Sequence, residues 1–329
     1  MFVHENAQMK QIAAGIQRLT VPLPLAPGHV HCYVVEGDEG RLLVDTGLAL
    51  PGLDDLFRAE LDGPVDRIVI THFHPDHVWG GEIARAVTGA PVHQGRLDYA
   101  QCESVWGAPD WPERIADWFR LHGVPAEMSE TMLERDREAL PLIRYERDPQ
   151  LLDEGDRVDG WDVVELPGHA DGHLGFLRDG VLVAGDHILP EITPAVGVYP
   201  ESRPDPLGAY LDSLQKTIEV APRLALPAHG DPIADPAGRA RAILDHHRQR
   251  LDQTGTALSP EPQTGYEISL ALFPGAHGPS QRRFAVAETL AHLERLVANR
   301  LAVRQGDVTP VTYTEARLAR SAAAETGTA

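Results

Sequence analysis

Apolar positions over the first part of the chain fall in short runs bounded by turn residues. The runs at 17–21, 30–36, 42–45 and 65–70 read as strands. The segments 51–61 and 82–88 carry helical spacing between them. From 94 to 143 the rhythm changes: prolines and Trp106, Trp111 and Trp118 appear, and 111–122 and 126–140 read as two helices. Trp111, Ile115, Trp118 and Phe119 share one helical face, the mark of a lid or helix pair packed on something, with a wall of a substrate pocket as the second reading. Strand signals resume at 161 and run to 229. They are interrupted by a Pro- and Gly-rich stretch at 188–206, placed to line an entrance, and by a helix at 206–221. Beyond 229 the pattern shifts to a long charged helix at 237–253, a linker at 254–262, helices at 266–272 and 284–301 and a short strand at 308–313. Leu290, Leu293, Leu296 and Val297 have helical spacing. Strands mixed with helices in this way predict an α/β class.

The chemistry sits at the strand ends. Directly after the 65–70 strand comes His72-Phe73-His74-Pro75-Asp76-His77, four potential metal ligands in six residues. His72 and His74 are two apart, so in an extended segment they face the same way and can share an ion. Asp76 and His77 lie past Pro75, where the chain must turn, and can face a second one. Three more candidates follow strand-like runs: His169 in Pro167-Gly168-His169, Asp186 in Ala184-Gly185-Asp186-His187, and His229 in Pro227-Ala228-His229-Gly230. Small neighbours let each loop turn sharply and approach closely. Imidazole and carboxylate together suit zinc and its first-row neighbours.

On these seven residues, in this order, and on Val44-Asp45-Thr46-Gly47, the chain resembles the metallo-β-lactamase-fold hydrolase superfamily, in the glyoxalase II and β-lactamase-like-protein-2 branch. The resemblance covers about residues 15–235. It implies an αββα sandwich over 1–236 with a helical insertion at about 94–145. It also implies a small winged-helix-like module at 237–316, and the tail at 317–329 is expected to be disordered. In the family one metal takes the residues here numbered His72, His74 and His169, the other Asp76, His77 and His229, and Asp186 bridges them. Two zinc ions are the expected cofactors, with manganese or iron as substitutes. A cation lowers the pKa of its bound water to about 7, so a bridging hydroxide is the expected nucleophile, with Asp76 orienting it and passing a proton to the leaving group. No Gly-x-Ser-x-Gly elbow and no Cys-His pair competes with that reading.

Weaker candidates surround the seven. Asp45 reads either as a group holding a ligand histidine or as a strand-end turn. His173 and His187 stand near ligands and are ambiguous. Tyr199 and Arg203, on the 188–206 stretch, are candidate substrate contacts. His29, His31, His246 and His247 read as solvated.

Charge narrows the partners. The 29 basic and 49 acidic residues give a net charge of −20, which repels polyanions and argues against extended nucleic acid while leaving a small-molecule substrate open. Mixed charge on the C-terminal module favours homodimer or lid packing over DNA. Cys32 and Cys102 form no metal or disulfide pattern. The polar 1–11 segment has no signal-peptide core and no run of 18 apolar residues occurs, so a cytoplasmic protein without a membrane segment is expected. The leading function is hydrolysis of a small ester-like substrate, thioester or lactone. The alternatives are a phosphodiesterase or endoribonuclease on the same ligands, and a persulfide dioxygenase using a single iron. A true β-lactamase is disfavoured because those enzymes lack the bridging aspartate. A non-catalytic scaffold is disfavoured because no ligand is missing.

Overall fold

The computed structural model describes residues 9–24, 26–307 and 309–316. The tail expected at 317–329 lies outside them, as does Val308 within the expected 308–313 strand. The first sheet takes its strands in chain order: β1 (Met9–Ala13), β2 (Ile16–Pro22), β3 (His29–Glu36), β4 (Arg41–Val44), β5 (Arg67–Ile70), β6 (Val92–Gly95) and β7 (Gln150–Leu152). Pairing is antiparallel up to β4 and parallel from β4 to β7. Parallel neighbours need crossovers, and helices supply them: α1 (Leu53–Glu60), the short α2 (Pro75–Val78), α3 (Gly81–Thr88), then α4 (Arg96–Val105), α5 (Trp111–Leu121) and α6 (Ala126–Ala139). The second sheet has the order β12-β11-β10-β9-β8, built from β8 (Arg157–Val158), β9 (Trp161–Glu165), β10 (Leu174–Arg178), β11 (Val181–Gly185) and β12 (Leu224–Pro227), with α7 (Pro206–Val220) crossing between β11 and β12.

Both sheets are covered on both faces, which is why their strands read as unbroken apolar runs. Tyr33, Val35, Leu42, Val44 and Val69 point inward and meet Trp161, Val163, Phe176, Val181, Val183 and Leu226 of the second sheet. The alternate residues Val34, Leu43, Ile68 and Ile70 point outward under Leu53, Leu56 and Phe57 of α1 and Ala84 of α3. Leu182, Ala184 and Ala225 face outward on the other side, under Leu207 and Leu214 of α7. The result is the expected αββα sandwich. Tyr33 pins the sheets together by donating its hydroxyl to Pro227 O at 2.7 Å.

The C-terminal part runs α8 (Pro236–Ala257), β13 (Gln263–Thr264), α9 (Gly265–Leu272), α10 (Pro279–Ala298), β14 (Ala302–Gln305) and β15 (Thr312–Glu315), with a β13-β15-β14 sheet. This is the element order of a winged helix. Helix α8 absorbs part of the expected 254–262 linker, and the 284–301 reading holds both the body of α10 and the turn into β14. The middle of helix α10 is buried on every side, since Ala285–Ala287 and Thr289–Leu293 are all buried, whereas Gln281 and Phe284 in its first turns are exposed. It packs on α6, α7, α8 and α9, and its core is continuous with that of the insertion, where Trp111, Ile115 and Phe119 are buried with Val286, Leu290 and Leu293. The apolar stripe of α5 is therefore a packing face. Among the described residues no helix is long and apolar enough to cross a membrane.

His247 corrects the expectation of a solvated polar helix. It is 1 % exposed, its Nδ1 lies 3.2 Å from Nε2 of His292, and His292 Nδ1 donates to Glu288 O at 2.8 Å. Burial drives His247 down to about 3, His292 to about 4 and His122, at the end of α5, to about 4. Unfolding frees each to bind a proton below about pH 6.5, whereas the fold excludes that proton until about pH 4 or lower. Their stabilising effect is therefore complete above pH 6.5 and declines as pH falls toward 4, by up to about 1.4 kcal/mol per pH unit for each histidine. In urea unfolding of the chelated protein between pH 6.5 and 5, His292→Gln is expected to reduce the slope of stability against pH by about one proton. An unchanged slope would contradict the assignment.

Candidate metal centre

All seven candidate ligands come together at one end of the sandwich, four from the first sheet and three from the second. Strand β5 ends at Ile70, and the chain bends through Thr71–His74 before entering α2. In β11, the turn at Gly185 (φ 50°) delivers Asp186. A Cβ on Gly185 would lie 2.8 Å from Thr71 Oγ1 and His173 Nε2, so only glycine lets this strand end approach the histidine loop. Beyond β12, His31 N donates to Ala228 O at 2.7 Å and aligns the segment carrying His229.

The donor atoms form three overlapping groups, His72–His74–His169, His72–His77–Asp186 and Asp76–His77–His229, with the atoms of each group within 4.8 Å of one another. Four of the five imidazoles have the nitrogen remote from the centre anchored, which sets their tautomer. His72 Nδ1 donates to Thr71 Oγ1 (3.0 Å), His77 Nδ1 to Asp45 Oδ2 (2.9 Å), His169 Nδ1 to Ala195 O (2.7 Å) and His229 Nδ1 to His29 O (2.7 Å). The Nε2 lone pairs of these four therefore face inward. His74 turns its Nδ1 inward, 3.0 Å from His72 Nε2 and 2.9 Å from His169 Nε2. Asp186 places Oδ2 3.4 Å from His169 Nε2 and 3.7 Å from His77 Nε2, and Oδ1 3.4 Å from His229 Nε2. Asp76 Oδ2 lies 3.5 Å from His229 Nε2 and 3.8 Å from His77 Nε2. His77 Nε2 and Asp186 Oδ1 are buried without a hydrogen-bond partner. Buried acceptors that converge without donors between them are a cost unless a cation sits there. The donor set thus fits first-row divalent ions.

The electrostatics agree. Burial, reinforced by neighbouring imidazoles, holds His72, His74 and His173 far below the usual histidine range and keeps them in the neutral form that binds metal. Burial also lowers His169. At His77 burial works the same way, but Asp76, Asp45 and Asp186 outweigh it and lift the ring to about 10. Asp186, despite burial, is held well below the carboxylate range by His229 and His77. Protons on one side of the centre thus balance charge that a cation would balance.

The lesser candidates separate. Asp45 is buried at φ 62° and accepts from Thr71 N (2.8 Å), from the Thr71 hydroxyl and from His77. His173 stacks on His72, with centroids 4.8 Å apart, and its Nε2 accepts from Asp186 N at 3.1 Å. His187 points away, to Thr217 Oγ1 at 2.7 Å. Arg203 spends its side chain on Asp171, with Nε donating to Oδ1 at 2.9 Å, and so fastens the loop that carries His169. Tyr199 turns its ring toward Phe119 in the helical layer, with centroids 6.5 Å apart. His29 and His31 are not solvated loop residues: both belong to β3, His31 is 4 % exposed, and His29 supplies the carbonyl that anchors His229. Thr71, the Ala195 carbonyl and Asp98 carry no motif. Only Thr71, directly before His72, had a positional signal.

Comparisons with known proteins follow this geometry. The family model described as "Metallo-beta-lactamase superfamily" matches residues 25–229, and "Metallo-beta-lactamase-like, C-terminal domain" matches 251–315. A probable metallo-hydrolase of Bacillus subtilis is 26% identical over 307 residues, covering 85% of this chain and 91% of that protein. An atrochrysone carboxyl ACP thioesterase of Aspergillus novofumigatus is 25% identical over 266 residues, 79% of this chain and 64% of that one. The crystal structure of a metallo-beta-lactamase family protein from Thermus thermophilus superposes with a TM-score of 0.79 at 34% identity, covering 93% of this chain and all of that one.

Proposed function

This chain belongs to the metallo-β-lactamase superfamily, and from that premise we propose that it is a hydrolase holding two zinc ions and acting on a small ester-like substrate, a thioester or a lactone. The observation that carries the reading is the convergence of five inward-facing imidazole nitrogens on the carboxylates of Asp76 and Asp186. His72, His74 and His169 would hold one ion, Asp76, His77 and His229 the other, and Asp186 both. Three overlapping donor groups favour a pair of ions over a single iron. Bound there, such ions would supply an acidified water and polarise the substrate's carbonyl oxygen.

The chain's own residues do the rest. Asp76 is the more exposed of the two central carboxylates, its side chain 24% accessible against 10% for Asp186. Its carboxylate is placed to accept the proton the attacking water gives up and to return it to the departing thiolate or alkoxide, so that the carbonyl carbon gains oxygen and loses the leaving group. Thr71, Asp45, Ala195 O and His29 O hold the rings rigid, so little reorganisation accompanies reaction. Phe73 lies beside His74, with ring centroids 5.0 Å apart, and gives the site an apolar flank.

A thioesterase among the relatives supports acyl substrates. Against nucleic acid stand the net charge of −20 and the burial of the middle of α10, whose position in a winged helix is the one that would enter a groove. The test is initial rates of the zinc-loaded protein on matched thioester, lactone and phosphodiester substrates. Carbonyl substrates are expected to exceed the phosphodiester by at least about tenfold in kcat/KM, a difference of about 1.4 kcal/mol in transition-state stabilisation. A phosphodiester preference would overturn the substrate class while leaving the metal site standing.

A further inference from the structure

Phe73, the residue between His72 and His74, makes both its backbone hydrogen bonds to side chains of one helix. Its N–H donates to Asp98 Oδ1 at 2.8 Å, and its carbonyl accepts from Trp106 Nε1 at 2.7 Å. Asp98 lies in the first turn of α4 and Trp106 is that helix's C-cap. Asp98 is 0 % exposed, and its second oxygen accepts from Gln94 Nε2 at 2.6 Å. The Trp106 ring is fixed between Trp79 and Trp111, at centroid distances of 5.3 and 5.0 Å. The same helix start bears on the third ligand loop: a Cβ on Gly172 would fall 2.3 Å from Asp98 N, so the 167–173 loop carrying His169 lies directly against α4.

We propose that Asp98 and Trp106 are positioning residues for the metal centre, a two-point clamp by which α4 fixes the spacing of His72 and His74 and the seat of the His169 loop. The inference rests on the metal-site reading above. The two ligands flank one residue, so a rotation about the φ or ψ of Phe73 would swing their rings apart, and the two bonds hold the peptide plane on each side of it. The clamp removes that rotation without contributing a ligand. It also gives the insertion a role in holding the metal loop from behind, distinct from the pocket wall its tryptophans suggest.

The experiment is Co2+ binding to the full chain, followed by visible absorption and by competition with a chelator. It compares wild type, Asp98→Ala, Asp98→Asn and Trp106→Phe, with thermal unfolding of each metal-free protein as the folding control. Asp98→Ala is expected to weaken Co2+ by about 10–100-fold, the range for residues that orient metal ligands, and to shift the absorption bands. Asp98→Asn keeps an acceptor for Phe73 N–H, and Gln94 can turn its unpartnered Oε1 toward the new amide, so binding should return close to wild type. Trp106→Phe keeps an aromatic ring but loses the donor and part of the packing on Trp79 and Trp111, which the metal-free unfolding control measures separately; it should weaken binding in the same direction, and it decides the matter if Asp98→Ala does not fold. Wild-type affinity and spectrum in Asp98→Ala and Trp106→Phe, or Asp98→Asn as weak as Asp98→Ala, would overturn the clamp. Failure of the wild-type protein to bind Co2+ would instead overturn the metal-site reading.

Discussion

Asp186→Ala is expected to reduce turnover to below about a thousandth of wild type, because on the proposed two-ion reading it removes an electrostatic group at the reacting centre together with the carboxylate that would hold both ions. Among the described residues, Asp186 is the one carboxylate within 3.7 Å of His77, His169 and His229 alike. Without it, His169 loses its carboxylate neighbour and His77 and His229 keep only Asp76, and on the two-ion reading bound metal should fall from two equivalents to one or fewer. The fold should survive. The Asp186 backbone is held by His173 Nε2, and the site lies beyond the ends of the strands, outside the inter-sheet core. His72→Ala should behave alike. Metal content and kcat/KM of the purified variants, with circular dichroism as the control, check this. More than a tenth of wild-type activity in both variants would refute the assignment.

Asp45→Ala is expected to have the largest combined effect on stability and metal affinity. The carboxylate accepts from Thr71 N, Thr71 Oγ1 and His77 Nδ1 while 2 % exposed. Its removal leaves a buried imidazole and a buried amide without an acceptor, a loss of about 3–5 kcal/mol for breaking a buried pair. Alanine also tolerates the φ of 62° less well than aspartate or asparagine. Asp45→Asn separates the two effects. It can still accept from Thr71 N but no longer carries the charge that orients His77, so stability should largely hold while zinc affinity drops by about 10–100-fold. Denaturant midpoints and chelator competition measure the two separately. Zinc affinity in Asp45→Asn equal to wild type would mean that Thr71 alone orients the rings.

The individual strands and the metal loops are legible because their signals are local, whereas their arrangement as an αββα sandwich follows from the family resemblance. Two-residue alternation with both faces buried produces the apolar runs at 30–36, 42–45 and 65–70. The small residues beside His169, Asp186 and His229 mark the turns. Asp205-Pro206 and Asp235-Pro236 announce α7 and α8: each aspartate caps the amide three residues on, at 2.8 and 2.9 Å. What escaped depends on partners distant in the chain. His31 reads as a loop residue before a strand and His247 stands beside polar neighbours, yet each is buried by a segment far away in sequence, Ala228 for one and His292 for the other. Asp98 belongs to a helix that has no sequence marker, and its partner Phe73 is 25 residues away. Arg203 was placed near the entrance as a substrate contact, but its guanidinium is engaged by Asp171.

The enclosure of α10 also constrains how the molecule is made. The core that packs Trp111 and Phe119 of α5 and Leu207 of α7 is completed by Val286, Leu290, Leu293 and Tyr313. A chain emerging from the ribosome cannot close that core until α10 and β15 have been synthesised. Until then the apolar faces of α5 and α7 have no cover, and contacts so distant in sequence form slowly. The loop that holds His169 through Ala195 is tied to α10 as well, since Val198 N donates to Ala287 O at 3.1 Å. Closure of the candidate metal site therefore waits on α10, and a product truncated before α10 would carry the ligand motif without the support that α10 gives the Ala195 loop.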